Sequence, residues 1–233
     1  MDMTSPGPTR VPASELNSDG LDVRCWLVRR TDYSAGSRRR QVGACHRTSE
    51  HGVLSVDGAG MSPYLDALRQ SMSLLAANGA VFLGQAVRYP GTAIHNTLTH
   101  IPEAQRIELP VAESMQLGMC TGISLAGGLP VSIYPRINFL LEATSQLVQH
   151  LDKLPLYSGY RPKVIIRTAV AHDEPMDPGP QHLGDYSRAL ESMCSTVVVK
   201  RLRKTSDIMP AYRQALERDG STLLVEYARS YND

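Results

Sequence analysis

Cysteine is scarce and scattered in this chain: Cys25, Cys45, Cys120 and Cys194 form no CxxC pair. No histidine stands near them at zinc-finger spacing, only Cys45 and His46 being neighbours, so a structural zinc site is excluded and reduced thiols are expected. The seven histidines are equally dispersed, and no metal site built from this chain alone is expected. An excess of one charge is lacking too. Lys+Arg at 24 against Asp+Glu at 23 leaves +1, which offers no overall field to nucleic acid or an anionic membrane. No apolar run approaches the roughly 20 residues that cross a bilayer, and the N-terminus has no apolar signal core. A soluble, cytoplasmic protein is expected. A GxGxxG fingerprint between strand and helix is also absent, which argues against a dinucleotide-binding Rossmann protein.

What is present is a chain of 233 residues with 42% apolar content, enough to bury a substantial core. Residues 1–60 stand apart. They are rich in Pro, Ser, Gly and Arg, and their one clear apolar cluster is Cys25-Trp26-Leu27-Val28. The basic run Ser37 to Arg40 belongs to a stretch in which seven acids interleave with eight arginines, so it reads as part of a solvated, partly disordered extension. The domain proper is expected over residues 61–233.

From Met61 onward short apolar runs alternate with amphipathic ones. Tyr64, Leu65, Leu68, Met72 and Leu75 mark a helix, and Ala80 to Leu83 a buried strand. Strands are then expected at Arg106–Leu109, Leu129–Tyr134, Val164–Ile166, Thr196–Val199 and Thr222–Glu226. The intervening helices are expected from Glu113 to Gly127-Gly128, from Ile137 to about Leu154, over Tyr186–Met193 and over Asp207–Arg218. This alternation predicts an α/β fold, a mostly parallel sheet with helices on both faces.

Three positions carry candidate chemistry. Glu113 follows the short strand ending near Pro110 and opens a helix, at the kind of strand-to-helix junction where open α/β sheets form ligand crevices. An acid in a first turn is also favoured by the helix macrodipole wherever that helix sits. Phe139 comes 26 residues later, well over 90° around the helix from the Ile137/Leu140/Leu141/Leu147/Val148/Leu151 stripe. With Asn138 as an N-cap, its ring would stand at a helix mouth, either stacking on a ligand or filling a satellite cluster. His182 comes 69 residues after Glu113, at the end of the aperiodic stretch Thr168–His182. Loops of that length are usually functional or disordered. The histidine could exchange protons near neutral pH or simply lie on the surface. Separately, Ser114, Gly118, Gly122 and Ala126 recur every four residues along the Glu113 helix. Glycine inside a helix costs about 1 kcal/mol relative to alanine, so the stripe predicts close packing by a neighbouring helix, of this chain or of a second subunit.

With these residues in view, the stretch from about Pro63 to Glu226 resembles the pyrimidine-binding domain of thiamine diphosphate enzymes, namely the beta subunits of 2-oxo acid dehydrogenases and the matching domain of transketolases. Pro110-Val111-Ala112-Glu113 resembles the segment bearing that family's cofactor-activating glutamate. Phe139 falls where the family has the aromatic residue that stacks on the aminopyrimidine, and Pro180-Gln181-His182 resembles its active-site histidine loop. The resemblance implies that Glu113 and His182 are catalytic, and that Val111, Glu113 and Phe139 bind thiamine diphosphate. It implies a carboxyl hydrogen-bonded to N1′ of the aminopyrimidine, which must share or give up a proton, as shielding from water favours. His182 would donate or accept protons at substrate oxygens.

Two departures shape what is expected. The family holds the diphosphate through Mg²⁺ on a domain with a GDG motif, and this sequence has none. Its DG pairs at Asp19, Asp57 and Asp219 lack the preceding glycine. A separate Mg²⁺- and diphosphate-binding subunit is therefore expected, in a hetero-oligomer such as a heterotetramer, with self-pairing through the Ser114/Gly118/Gly122/Ala126 face. The sequence also ends at Asp233, just after its last strand, whereas the resembled subunits continue into a domain that helps dock the acyltransferase core. 2-Oxo acid decarboxylation, acyloin formation or ketol transfer is accordingly expected ahead of a lipoyl-linked dehydrogenase. A noncatalytic interaction subunit retaining the fold is the alternative.

Overall fold

Ser62 sets the start of α1 (Pro63–Ala77): its side chain accepts the Leu65 N–H at 3.3 Å, and Pro63 occupies the first turn. The computed structural model describes residues 62–173 and 177–231; the expected extension over residues 1–60, with Cys25, Cys45 and Trp26, lies outside them. Along α1, Tyr64, Leu68, Met72 and Leu75 recur at helical spacing and form one buried face.

The strands are β1 (Ala80–Gly84), β2 (Arg106–Glu108), β3 (Leu129–Tyr134), β4 (Ile165–Val170), β5 (Val198–Leu202) and β6 (Thr222–Tyr227). All six pair in parallel, in the order β2-β1-β3-β4-β6-β5, which makes the expected α/β sheet wholly parallel among the described residues. The remaining helices are α2 (Ala93–Asn96), α3 (Glu113–Leu125), α4 (Ile137–Leu140), α5 (Leu154–Ser158), α6 (Ser187–Met193) and α7 (Thr205–Glu217). No helix among the described residues is long and apolar enough to cross a membrane.

Successive strand residues point to opposite faces, so each strand feeds two cores. Ile165, with Phe82, Val131 and Leu224, packs against α1 and α7. Its neighbour Ile166, with Leu83, Leu223 and Val225, packs against α3, α4 and Leu190 of α6. Cys120 lies in this second core, where burial pushes its thiol up to about 12. The fold thus needs both faces covered, which is why the strands read as nearly continuous apolar runs.

The long helix expected from Ile137 to Leu154 is instead broken into α4, a 3₁₀ turn over Leu141–Ala143, a π turn over Gln146–Leu151, and α5. Asp152 anchors the end of the broken segment. Its N–H bonds back five residues to the Leu147 carbonyl, and its fully buried carboxylate accepts the N–H groups of Ser195, Thr196 and Val197 at 2.7–3.0 Å. The wider turn is compatible with this anchorage, which ties the segment to the loop before β5. Burial alone would push this carboxyl up, but the Lys153 ammonium and the three amides outweigh it and hold it well below the usual carboxylate range.

Candidate active site

Because every strand runs the same way, the segments leaving their carboxyl ends gather on one edge of the sheet, and the β1/β3 pair is where the strand order reverses. Gln85 follows β1, Glu113 follows β2, Phe139 follows β3 and His182 follows β4. These are four adjacent strands. The topology therefore places the three residues expected from the sequence after the carboxyl ends of strands on one edge of the sheet, and adds Gln85 to them.

Glu113 is the first residue of α3 and is 7% exposed, so its carboxylate lies at the mouth of a helix. Gln85 donates its side-chain N–H to Glu113 Oε1 at 3.2 Å, and the Tyr134 hydroxyl donates to the Glu113 backbone carbonyl at 3.1 Å. Beneath it the buried Gln116 side chain donates to Ser132 Oγ and to the Ile133 carbonyl, fastening α3 to β3. Val111, two residues ahead of Glu113, is 77% exposed and available to a ligand.

Phe139 stands in the first turn of α4, but Asn138 is not the N-cap. Arg136 takes that position with extended backbone, and the Phe139 N–H bonds to its carbonyl at 3.1 Å. Nor does Phe139 turn wholly away from the core: it is half-buried along the second apolar cluster, because α4, the 3₁₀ turn and the π turn do not share the single helical wheel from which its offset was read. Its ring meets the His182 imidazole edge-on at a centroid separation of 5.7 Å. His182 closes a 3₁₀ turn over Pro180–His182, and the stretch before it is shorter than expected because Thr168–Val170 belong to β4. His182 Nδ1 and Asn138 Oδ1 are buried without a hydrogen-bond partner among the described residues. Such orphaned polar atoms mark where a ligand or bound water would be accommodated.

Two elements of this edge were not foreseen. Glu108, at the end of β2, accepts the consecutive N–H groups of Ala86, Val87 and Arg88 at 2.7–2.9 Å. This holds the loop after β1 in a turn where Ala86 has φ of 55°. The only sequence signal was the Gly84-Gln85 pair at the end of a strand. Gly84 has φ of 154°, and a Cβ there would lie 2.2 Å from the Ile133 backbone oxygen, so this strand end closes tightly on β3.

The small-residue stripe on α3 is split. Ser114 Oγ donates to the Glu142 carbonyl at 2.7 Å and Gly118 faces the Gln146 side chain, so the first half packs against the chain's own 141–146 segment. A four-residue step advances about 40° around a helix, and the stripe rotates outward. At Gly122 a Cβ would meet open space, and Met115, Met119 and Ala126 are exposed beside it.

Among the described residues no group of three or more His, Cys, Asp or Glu could hold a metal ion. An open groove of about 700 Å³ runs along β5 and α7, lined by Lys200, Arg201, Asp207 and Arg213 among others. It lies on the strand at the far end of the sheet from β2 and contains none of the candidate residues.

No protein-family model matches the chain, and no curated protein matches it in sequence. Among solved structures it is similar to a split-gene transketolase described as an inactive beta4 tetramer, with a TM-score of 0.55 and 16% identity over 71% of this chain. The chain spans half the length of that structure. At this identity the likeness establishes the fold, which is transketolase-like.

Proposed function

We propose that the chain is the pyrimidine-binding subunit of a split thiamine diphosphate-dependent enzyme that breaks or forms C–C bonds next to a carbonyl. The observation that carries this reading is that Glu113, Phe139 and His182 follow the carboxyl ends of β2, β3 and β4 on one edge of the parallel sheet, with the Phe139 and His182 ring centroids 5.7 Å apart. The transketolase-like fold supports it. The residues present also fit the group: a half-buried ring, a carboxylate with one protein partner among the described residues, and buried polar atoms awaiting partners.

When bound, thiamine diphosphate supplies a thiazolium carbon that adds to a substrate carbonyl and takes up the electron pair released on C–C cleavage. Glu113 would hold N1′ of the aminopyrimidine and exchange a proton there, while Phe139 and Val111 would offer apolar surface to the ring. His182 would donate or accept a proton at substrate oxygens. Decarboxylation of a 2-oxo acid, acyloin formation and ketol transfer all fit this arrangement.

The diphosphate and its Mg²⁺ are assigned to a partner subunit carrying GDG. Self-pairing is assigned to the outward half of the α3 stripe. In support, residues 114–135 contain no charged side chain, unlike an ordinary solvated helix face, and the similar split-gene transketolase is a tetramer of one subunit. The activity is assigned to residues 61–233, with 1–60 as an extension not needed for it.

The test is titration of thiamine diphosphate and Mg²⁺ into the chain alone and into a mixture with a GDG-bearing subunit. Binding by the pair and not by the lone chain is expected. Tight Mg²⁺-dependent binding by the lone chain would overturn the split site, and no binding by an assembled pair would leave a noncatalytic interaction subunit.

A further inference from the structure

Gln85 was not among the candidate residues, yet among the described residues it is the hydrogen-bond partner of the Glu113 carboxylate, at 3.2 Å. Its location is built with care. Gly84 before it closes on the Ile133 backbone where no side chain would fit. Ala86 after it takes a positive φ, and Glu108 grips the three amides that follow Gln85. A half-buried side chain on so constrained a loop has few places to go.

We propose that Gln85 is a positioning residue for Glu113, holding Oε1 so that Oε2 is the oxygen offered to a ligand. This deepens the proposed function and rests on it for the identity of that ligand. The amide suits the task because it bonds to both protonation states. Its nitrogen donates to the carboxylate and, after a flip, its oxygen accepts from the carboxylic acid. An apolar residue at 85 would leave Oε1 without this donor, and an acid would set two carboxylates against each other.

Other titratable groups lie near. The Tyr134 hydroxyl on β3 bonds to the Glu113 carbonyl rather than its carboxylate; burial above all, then the charges of Cys120 and Glu113, push that phenol up. Glu108 on β2 is engaged by the three loop amides. The Gln85 amide is thus the contact expected to tune Glu113.

The test uses the full chain without cofactor, carrying ¹³C-labelled glutamate, with the Glu113 carboxyl resonance assigned by its loss in Glu113→Gln. Its titration is compared among the parent, Gln85→Met and Gln85→Glu. Loss of a donor to a charged group should raise the proton affinity of Glu113 about tenfold in Gln85→Met. Gln85→Glu should raise it further and couple the two carboxyl titrations. A midpoint unmoved in Gln85→Met, or lowered in Gln85→Glu, overturns the proposal. Since the titration needs no cofactor, it can succeed while the proposed enzyme function fails, and the reverse.

Discussion

Arg167 on β4 and Glu226 on β6 form a two-pronged ion pair from which solvent is wholly excluded, offset by two residues on neighbouring parallel strands. Thr97 accepts a third guanidinium hydrogen, and the hydroxyls of Tyr212 and Tyr231 donate to the carboxylate. Removing one partner of a buried pair leaves the other charge uncompensated. Arg167→Met should therefore lower unfolding stability by about 3–5 kcal/mol, and Arg167→Met/Glu226→Gln by less than the sum of the single changes. Denaturant titration of the three variants measures this.

Asp152 should make stability pH-dependent. Its folded carboxyl lies below the ordinary value near 4, so its contribution is complete above that value and is lost as pH falls toward the folded one. Asp152→Asn should cost about 2 kcal/mol or more at pH 7, and the gap from the parent should narrow steadily below about pH 4. A gap that is constant from pH 7 to pH 3 would remove the assignment.

In the proposed enzyme assembled with its partner, Glu113→Gln should leave subunit association intact and slow hydrogen exchange at the thiazolium carbon about 100-fold or more. NMR of deuterium exchange into the bound cofactor reads this directly. Unchanged exchange would take Glu113 out of its proposed role.

Phe139→Ala deletes a stacking surface but no proton carrier. Cofactor affinity should weaken about tenfold, with kcat nearly kept at saturating cofactor. A large fall in kcat with unaltered affinity would point to the His182 contact instead.

Gly84→Ala puts a methyl group against the Ile133 carbonyl from a backbone conformation that side chains rarely adopt. A loss of about 3 kcal/mol or more is expected in thermal or denaturant unfolding. A stable variant would mean that β1 and β3 can separate at their carboxyl ends.

Where the chain alternates simple apolar runs, its sequence is plain to read. β3 was expected over the residues it occupies, Leu129–Tyr134. β4 was expected to stop at Ile166 because Arg167 interrupts the pattern, and only its distant partner Glu226 makes it a core residue. β5 was placed two residues early, since Lys200 and Arg201 on an edge strand resemble a loop. The placement of Glu113, Phe139 and His182 after successive strands was legible from their order along the chain, and the parallel sheet explains how residues so distant in sequence reach one edge. Gln85 and Glu108 were not, because one amide and one acid acquire meaning only from the loop amides and carboxylate that folding sets beside them.

The two faces of the sheet are joined by forces of different character. On the α1 and α7 side, Tyr212 of α7 donates to Glu226, which the bidentate Arg167 holds in essentially one alignment, so that helix is registered to the sheet through an ion pair. On the α3 and α4 side, Gln116 of α3 donates to Ser132 Oγ and to the Ile133 carbonyl of β3, so that helix is registered to the sheet by neutral hydrogen bonds. Sliding either layer would therefore break a directional bond, and on the side that carries Glu113 and Phe139 the bonds at stake are those of Gln116.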